Sequence, residues 1–241
     1  ADPACLQARP LPCFDDQGLQ AGRVRWALGH RTPTYHGRMP DPTPPELIAP
    51  PVALHEPGAE GAVWTVGHST HPFPEFLAIL QAHAIESVAD VRRFPGSRRH
   101  PQFGAEALQS SLGAHRIDYH WFEELGGRRR PDPQDDEGTA WRHPSFRAYA
   151  QHLQSEEFAR GLHSLLHVAK ASRTAIMCSE LLWWRCHRRL IADVMVFCGW
   201  HVTHILGATD HSAHRLAAPV RLGGQGLSYI DSGAGGVTAC C

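Results

Sequence analysis

Near the middle of the chain, Cys178, Ser179 and Glu180 are followed by Trp183, Trp184, Arg185, Cys186, His187, Arg188 and Arg189. A thiol, a carboxylate, an imidazole and several guanidinium groups fall within a dozen positions. A thiol near guanidinium groups or a helix N-terminus is shifted toward the nucleophilic thiolate. A carboxylate can act as a general base, and two can divide acid and base roles when their surroundings differ. Two further clusters carry similar chemistry: Gly67-His68-Ser69, and Asp90 with Arg92 and Arg93. Arginine runs at Arg92, Arg93, Arg98, Arg99 and at Arg128 to Arg130 suit a phosphate, which the planar guanidinium grips with two bonds. Trp121, Trp183 and Trp184 offer stacking surfaces for a base.

Each cluster follows a short apolar run, and that places it. Ala62 to Val66, Ile85 to Val91 and Thr174 to Met177 read as buried strands. Between the first two, Phe73, Phe76, Leu77 and Leu80 share one helical face after first-turn prolines. Strand, helix and strand make two parallel strands with a right-handed crossover. Residues 104 to 114 read as a short helix and Ile117 to Trp121 as a third strand. Ser145 would cap one long helix running to Lys170. A helix over 187–198, a stop at Gly199 and a strand from Val202 to Leu206 complete the pattern. The expected fold is α/β: a single three-layer domain with a mostly parallel sheet. Ligands of such sheets bind at the carboxyl ends of the strands, where all three clusters fall.

The domain is expected over 61–222. Residues 1–60 carry many prolines and no sustained period, so a poorly ordered arm is expected. Residues 223–241 form a glycine-rich tail with no core pattern. The formal net charge of −1 in 241 residues supplies no global pull toward nucleic acid or membrane. Lys170 is the only lysine. No apolar run reaches membrane-spanning length. The odd cysteine count fits no disulfide framework, and the opening residues lack a secretion-signal pattern, so the expected location is cytoplasmic.

TVGHST (65–70), DVRRFPGSRRHPQF (90–103), LGGRR (125–129), FRAYA (146–150) and MCSELLWWRCHRRLIAD (177–193) resemble a bacterial family known as domain of unknown function 488. HIL (204–206) and HRL (214–216) extend the resemblance, which runs from Val63 to Leu222. It implies a compact α/β domain and no agreed activity.

The expected activity is therefore an enzyme acting on a phosphate-bearing substrate, a nucleotide or nucleic acid, with the reaction type open. Cys178, Glu180, Asp90 and His68 are the candidate catalytic residues. Ser69, Arg92, Arg93, Arg98, Arg99, Arg128, Arg185, His187, Arg188 and Trp184 are the candidate binding residues. Each has a structural alternative: a buried thiol, a loop-capping carboxylate, a satisfied histidine, a solvated basic face. Two other functions remain open. A non-enzymatic module could bind nucleic acid on the same edge. A rhodanese-like transfer could use Cys178, although the loop after it is bulky and free of glycine. No cofactor is expected. Cys178, Cys186, His187 and His68 include zinc-binding types, but adjacent Cys186 and His187 at a helix start are expected to point apart, and no C-x-x-C spacing supports a site.

Overall fold

The computed structural model describes residues 61–96, 99–130, 140–217, 220–223 and 226–229. The proposed arm over 1–60, Arg98, the acidic stretch from Asp132 to Glu137 and residues 230–241 lie outside them.

A six-stranded sheet forms the centre, in the order β3-β2-β4-β1-β5-β6. Its strands are β1 (Gly61–Gly67), β2 (Ser87–Asp90), β3 (Asp118–Trp121), β4 (Thr174–Cys178), β5 (Trp200–Ile205) and β6 (His211–Ala213). The first five pair in parallel, and β6 returns antiparallel along β5. All residues of β2 and β4 are buried, as central strands covered on both faces require.

Helices α1 (Phe73–Ala82) and α2 (Ala105–Gly113) cover one face. They pack Phe76, Leu80, Leu108 and Leu112 against Val66, Val88 and Met177. Helices α3 (Pro144–His152), α4 (Glu156–Ala171) and α5 (Arg188–Phe197) cover the other. There Leu162, Leu165, Leu190 and Ile191 meet Val63, Ile176 and Val202. Full burial of each such side chain contributes about 2 kcal/mol. The result is the three-layer domain that the sequence pattern predicts.

Two local expectations change. The single helix from Ser145 to Lys170 is two helices, broken at Leu153 to Ser155. Ser155, not Ser145, accepts the capping bond, from the Phe158 amide at 3.1 Å. His143 caps α3 through Nδ1, which accepts from the Ser145 amide. Beyond Leu222, β7 (Arg221–Gly223) and β8 (Gly226–Ser228) form a hairpin. Leu227 and Tyr229, expected in a tail without core pattern, are buried against the α5 side of the sheet.

Helix connections leave β2 toward β3 and leave β4 toward β5, in opposite directions across the sheet. The gap between the carboxyl ends of β2 and β4 is therefore the topological switch point, the ligand crevice of open α/β sheets.

Candidate active site at the ends of β2 and β4

Parallel register decides which side chains meet. Asp90 pairs with Met177, and paired residues point to the same face. Cys178, the next residue along β4, points to the opposite face. The expected meeting of Cys178 with Asp90 and His68 does not occur. The motifs form two clusters, one on each side of the sheet, joined at its edge.

The first cluster is closed. Asp90 is fully buried and accepts from the Arg92 amide at 3.0 Å, from Arg92 Nε at 2.8 Å and from the Tyr119 hydroxyl at 2.7 Å. Arg92 Nη2 bonds both Asp90 and the Phe103 carbonyl, and Nη1 meets His68 Nε2 at 3.1 Å. His68 Nδ1 donates to the Ser69 carbonyl, so Nε2 is the acceptor for Arg92. The ring also stacks on Phe103 at 4.1 Å. Burial, and then the Arg92 charge, lower the His68 pKa to about 4. Each of these groups is bonded to another of them, and together Asp90 and Arg92 hold the end of β2.

The second cluster has uncommitted chemistry. Cys178 ends β4 and is 7% exposed; Cys186 is 4% exposed. His187 Nδ1 lies 3.5 Å from Cys186 Sγ and 4.0 Å from Cys178 Sγ. His187 Nε2 lies 2.9 Å from the Val91 carbonyl. A carbonyl only accepts, so Nε2 carries the proton and Nδ1 turns its lone pair toward the two sulfurs. Cys186 precedes the helix with extended backbone (φ −115°, ψ 150°), while His187 is already helical (φ −57°, ψ −20°). That change of backbone brings the adjacent side chains together, where a continuous helix would have splayed them as expected. Gly127, from LGGRR, is required here: a Cβ on it would sit 2.8 Å from His187 Nδ1.

The thiols are unequal. The hydrogen bond to Cys186, and then burial, push the Cys178 thiol up to about 12. Burial would raise Cys186 too, but the bond from Cys178 and the Arg188 guanidinium more than offset it and hold Cys186 at about 6. Arg188 Nε donates to Cys186 Sγ at 3.4 Å. The lowered thiol expected at Cys178 falls instead at Cys186, which accepts from Cys178 and is reached by Arg188. Arg188 is 1% exposed and ties the loop, its Nη2 bonding the carbonyls of Glu180 and Leu181, while its buried Nη1 has no hydrogen-bond partner.

The remaining candidates differ in exposure. Ser179, Glu180, Arg185, Arg128 and Arg99 are exposed, while Ser69 and Trp184 are half-buried. Arg93 and Arg129 both bond Glu157, and Arg93 also approaches Glu123, so neither is a free anion holder. In the loop after Cys178, three of the amides on which a rhodanese-like persulfide ring would draw already have partners. The amides of Leu182, Arg185 and Cys186 are bonded to Glu180 Oε1, Leu182 O and Trp183 O. Gly67 lets this loop cross β1: a Cβ there would lie 2.1 Å from the Glu180 carbonyl oxygen.

Sequence reasoning missed two features. A groove of about 740 Å³ runs along β3 between α2 and α4, lined by Tyr119, Trp121, His163 and His167 among others. It touches the Asp90 cluster only through Tyr119 and none of the Cys178–Cys186–His187 group. A buried chain also runs from Thr65 Oγ1 to His204 Nδ1 (2.7 Å), His204 Nε2 to His214 Nδ1 (2.9 Å) and His214 Nε2 to Asp193 Oδ1 (2.9 Å). Tyr229 donates to Asp193 Oδ2 at 2.8 Å, and Trp183 stacks on His204 at 3.9 Å. The HIL and HRL motifs supply both histidines and were the available signal.

The fold and this crevice define an α/β domain with a cysteine–histidine group at its sheet switch point. The family model for the domain of unknown function DUF488 matches residues 72–195, half of the chain, and the chain belongs to that family. No curated protein and no solved structure matches it. Among the described residues no helix is long and apolar enough to cross a membrane.

Proposed function

We propose that this protein is an enzyme acting on a phosphate-bearing substrate, a nucleotide or a nucleic-acid strand, at the crevice between β2 and β4. The observation that carries the reading is the orientation of His187: Nε2 is held by Val91, and Nδ1 faces both sulfurs. An imidazole oriented by a third group beside a thiol is the arrangement that activates a thiol. Arg99, Arg128 and Arg185 are the exposed cations that would hold the anionic substrate. Glu180, also exposed, is the candidate general base.

A non-enzymatic nucleic-acid module draws support from Phe94 and Trp121, which are 64% and 46% exposed and offer stacking faces. One experiment separates the two. The chain is screened against nucleotides, phosphate monoesters and single-stranded oligonucleotides for binding and for turnover. The enzyme reading expects turnover that is lost in Cys186→Ser with binding retained. Binding without turnover, lost in Arg128→Ala and Arg185→Ala and steeply weakened by salt, would establish the module instead. Neither binding nor turnover across the panel sinks both.

A further inference from the structure

Cys178, Cys186 and His187 offer two sulfur atoms and one nitrogen, all within 4.8 Å of one another. Zinc bonds sulfur at about 2.3 Å and imidazole nitrogen at about 2.0 Å, so a tetrahedral ion spaces its S and N ligands by about 3.6 Å. His187 Nδ1 stands 3.5 Å from Cys186 Sγ and 4.0 Å from Cys178 Sγ. Two edges of a tetrahedral face, at 3.5 and 4.0 Å, lie near this spacing, and the two sulfurs are within 4.8 Å of each other. We propose that Cys178, Cys186 and His187 form a zinc site whose fourth position is left to water or to a substrate oxygen.

Three observations beyond proximity carry this. First, the nitrogen presented to the sulfurs has its lone pair free, because the other ring nitrogen donates to the Val91 carbonyl at 2.9 Å. A backbone carbonyl on the far nitrogen is the usual means of orienting a metal-bound histidine and raising its basicity. Second, Arg188 Nε donates to Cys186 Sγ at 3.4 Å, an N–H···S bond of the kind that surrounds a ligating thiolate. Third, the group sits at the switch point, and its elements are tied from three sides. Gly127 closes on the His187 ring, the Tyr149 ring lies 4.9 Å from it, and Arg188 fixes the loop carbonyls of Glu180 and Leu181. Soft thiolates with one imidazole favour zinc over calcium or magnesium, which require oxygen ligands. Two thiolates and one imidazole leave the open position typical of catalytic rather than structural zinc. On binding, the thiols release their protons to solvent and no oxidant or reductant is needed.

The ion would take the His187 lone pair and both sulfurs, so in the loaded site the metal, in place of a free thiol, would act on the substrate by polarising a phosphoryl oxygen; that part rests on the phosphate-bearing substrate proposed above. The site itself does not, and its test involves no turnover. The full chain, reduced and stripped with a chelator, is titrated with cobalt(II) as a spectroscopic stand-in for zinc. The expected result is one cobalt per chain with a thiolate-to-cobalt charge-transfer band, bleached by one equivalent of zinc. The band should vanish in Cys178→Ser and in Cys186→Ser and persist in Cys198→Ser. X-ray absorption on the zinc-loaded native chain should show two sulfur neighbours and at least one imidazole, which settles the matter even if a variant fails to fold. An all-nitrogen-and-oxygen shell, a band that survives both cysteine changes, or no uptake at all overturns the proposal. Zinc uptake without binding of any phosphate-bearing ligand would sink the functional reading and leave the zinc site standing.

Discussion

His187 Nε2 donates to the carbonyl of Val91 at 2.9 Å, and this bond spans the switch point between β2 and the start of α5. It selects the imidazole tautomer and aims the ring at the sulfurs of Cys178 and Cys186. One backbone carbonyl at the end of β2 thereby sets the chemistry of a group built by β4 and the residues before α5. His187→Ala should remove that orientation while leaving the Val91 oxygen without its partner, at a cost of about 1 kcal/mol in stability. Urea unfolding should show that modest loss. Turnover of whatever substrate the screen finds, by contrast, should fall to background. Retained turnover in this variant would remove His187 from the mechanism.

Gly67 is expected to tolerate no side chain. The atom that a Cβ would strike belongs to backbone, the Glu180 carbonyl at 2.1 Å, so rotamer adjustment cannot relieve it. Gly67→Ala should destabilise by roughly 3 kcal/mol, at the upper end of overpacking costs, and displace the loop that carries Glu180. Gly113 is the contrast: it closes α2 with open space around its missing Cβ. Gly113→Ala should stabilise by about 0.5–1 kcal/mol through helix propensity. Chemical denaturation of both variants checks the pair, and equal effects would contradict the packing argument.

Acid should weaken the fold through His68 in a defined window. Its ring is neutral in the native state, with Nε2 accepting from Arg92, and its pKa is lowered from 6.5 to about 4. The unfolded chain therefore takes up a proton near pH 6.5 while the folded chain does not until about pH 4. Between those values the unfolded state binds more protons, so stability is full above pH 6.5 and falls as pH drops toward 4, by about 3 kcal/mol in all. His152, also lowered to about 4 by burial, contributes with the same sign. The test is the difference between the native chain and His68→Gln in denaturant midpoints from pH 7 to pH 4. The variant should be less stable at pH 7 and lose less on acidification. Parallel curves would show that His68 does not titrate there.

Asp193 should be the costliest single polar residue to alter outside the crevice. It accepts from His214 Nε2, from the Ala217 amide at 2.9 Å and from the Tyr229 hydroxyl, with no exposure to water. Asp193→Asn removes the carboxylate charge and one acceptor oxygen: an amide nitrogen at Oδ1 would meet two N–H donors, and one at Oδ2 would force the Tyr229 hydroxyl to turn from donor to acceptor. A loss of roughly 3 kcal/mol is expected, as for other broken buried charge networks. Tyr229→Phe should cost only about 1 kcal/mol, since it removes one bond of the three. Thermal melts in which Asp193→Asn matches the native chain would show that the network is not stabilising.

The order of elements was legible because apolar runs and helical spacing are local properties. The strand expected at 174–177 is found at Thr174–Cys178, and the helix expected at 187–198 at Arg188–Phe197. What was not legible depended on register and on single backbone angles. Nothing local in Asp90 or Cys178 reveals that Asp90 pairs with Met177, and that pairing alone sends the two side chains to opposite faces. The closeness of Cys186 and His187 depended on the extended backbone of Cys186, which spacing rules for a helix cannot supply. The break before α4 was announced by Ser155 with Glu156 and Glu157 behind it, but the continuous apolar face across Leu153 and Phe158 masked it.

The ladder between β1 and β4 does not stop where the strands do. The His68 amide bonds the Cys178 carbonyl at 3.0 Å, and the Ser69 amide bonds the Ser179 carbonyl at 3.1 Å. The two loops beside the crevice are thus stitched together by backbone, and neither can lift without exposing the amides of His68 and Ser69 and the carbonyls of Cys178 and Ser179 to solvent. Their opening is a single cooperative event inherited from the centre of the sheet, not the swing of a lid. Deuterium should enter at His68 and Ser69 with one common rate, since both amides are released together.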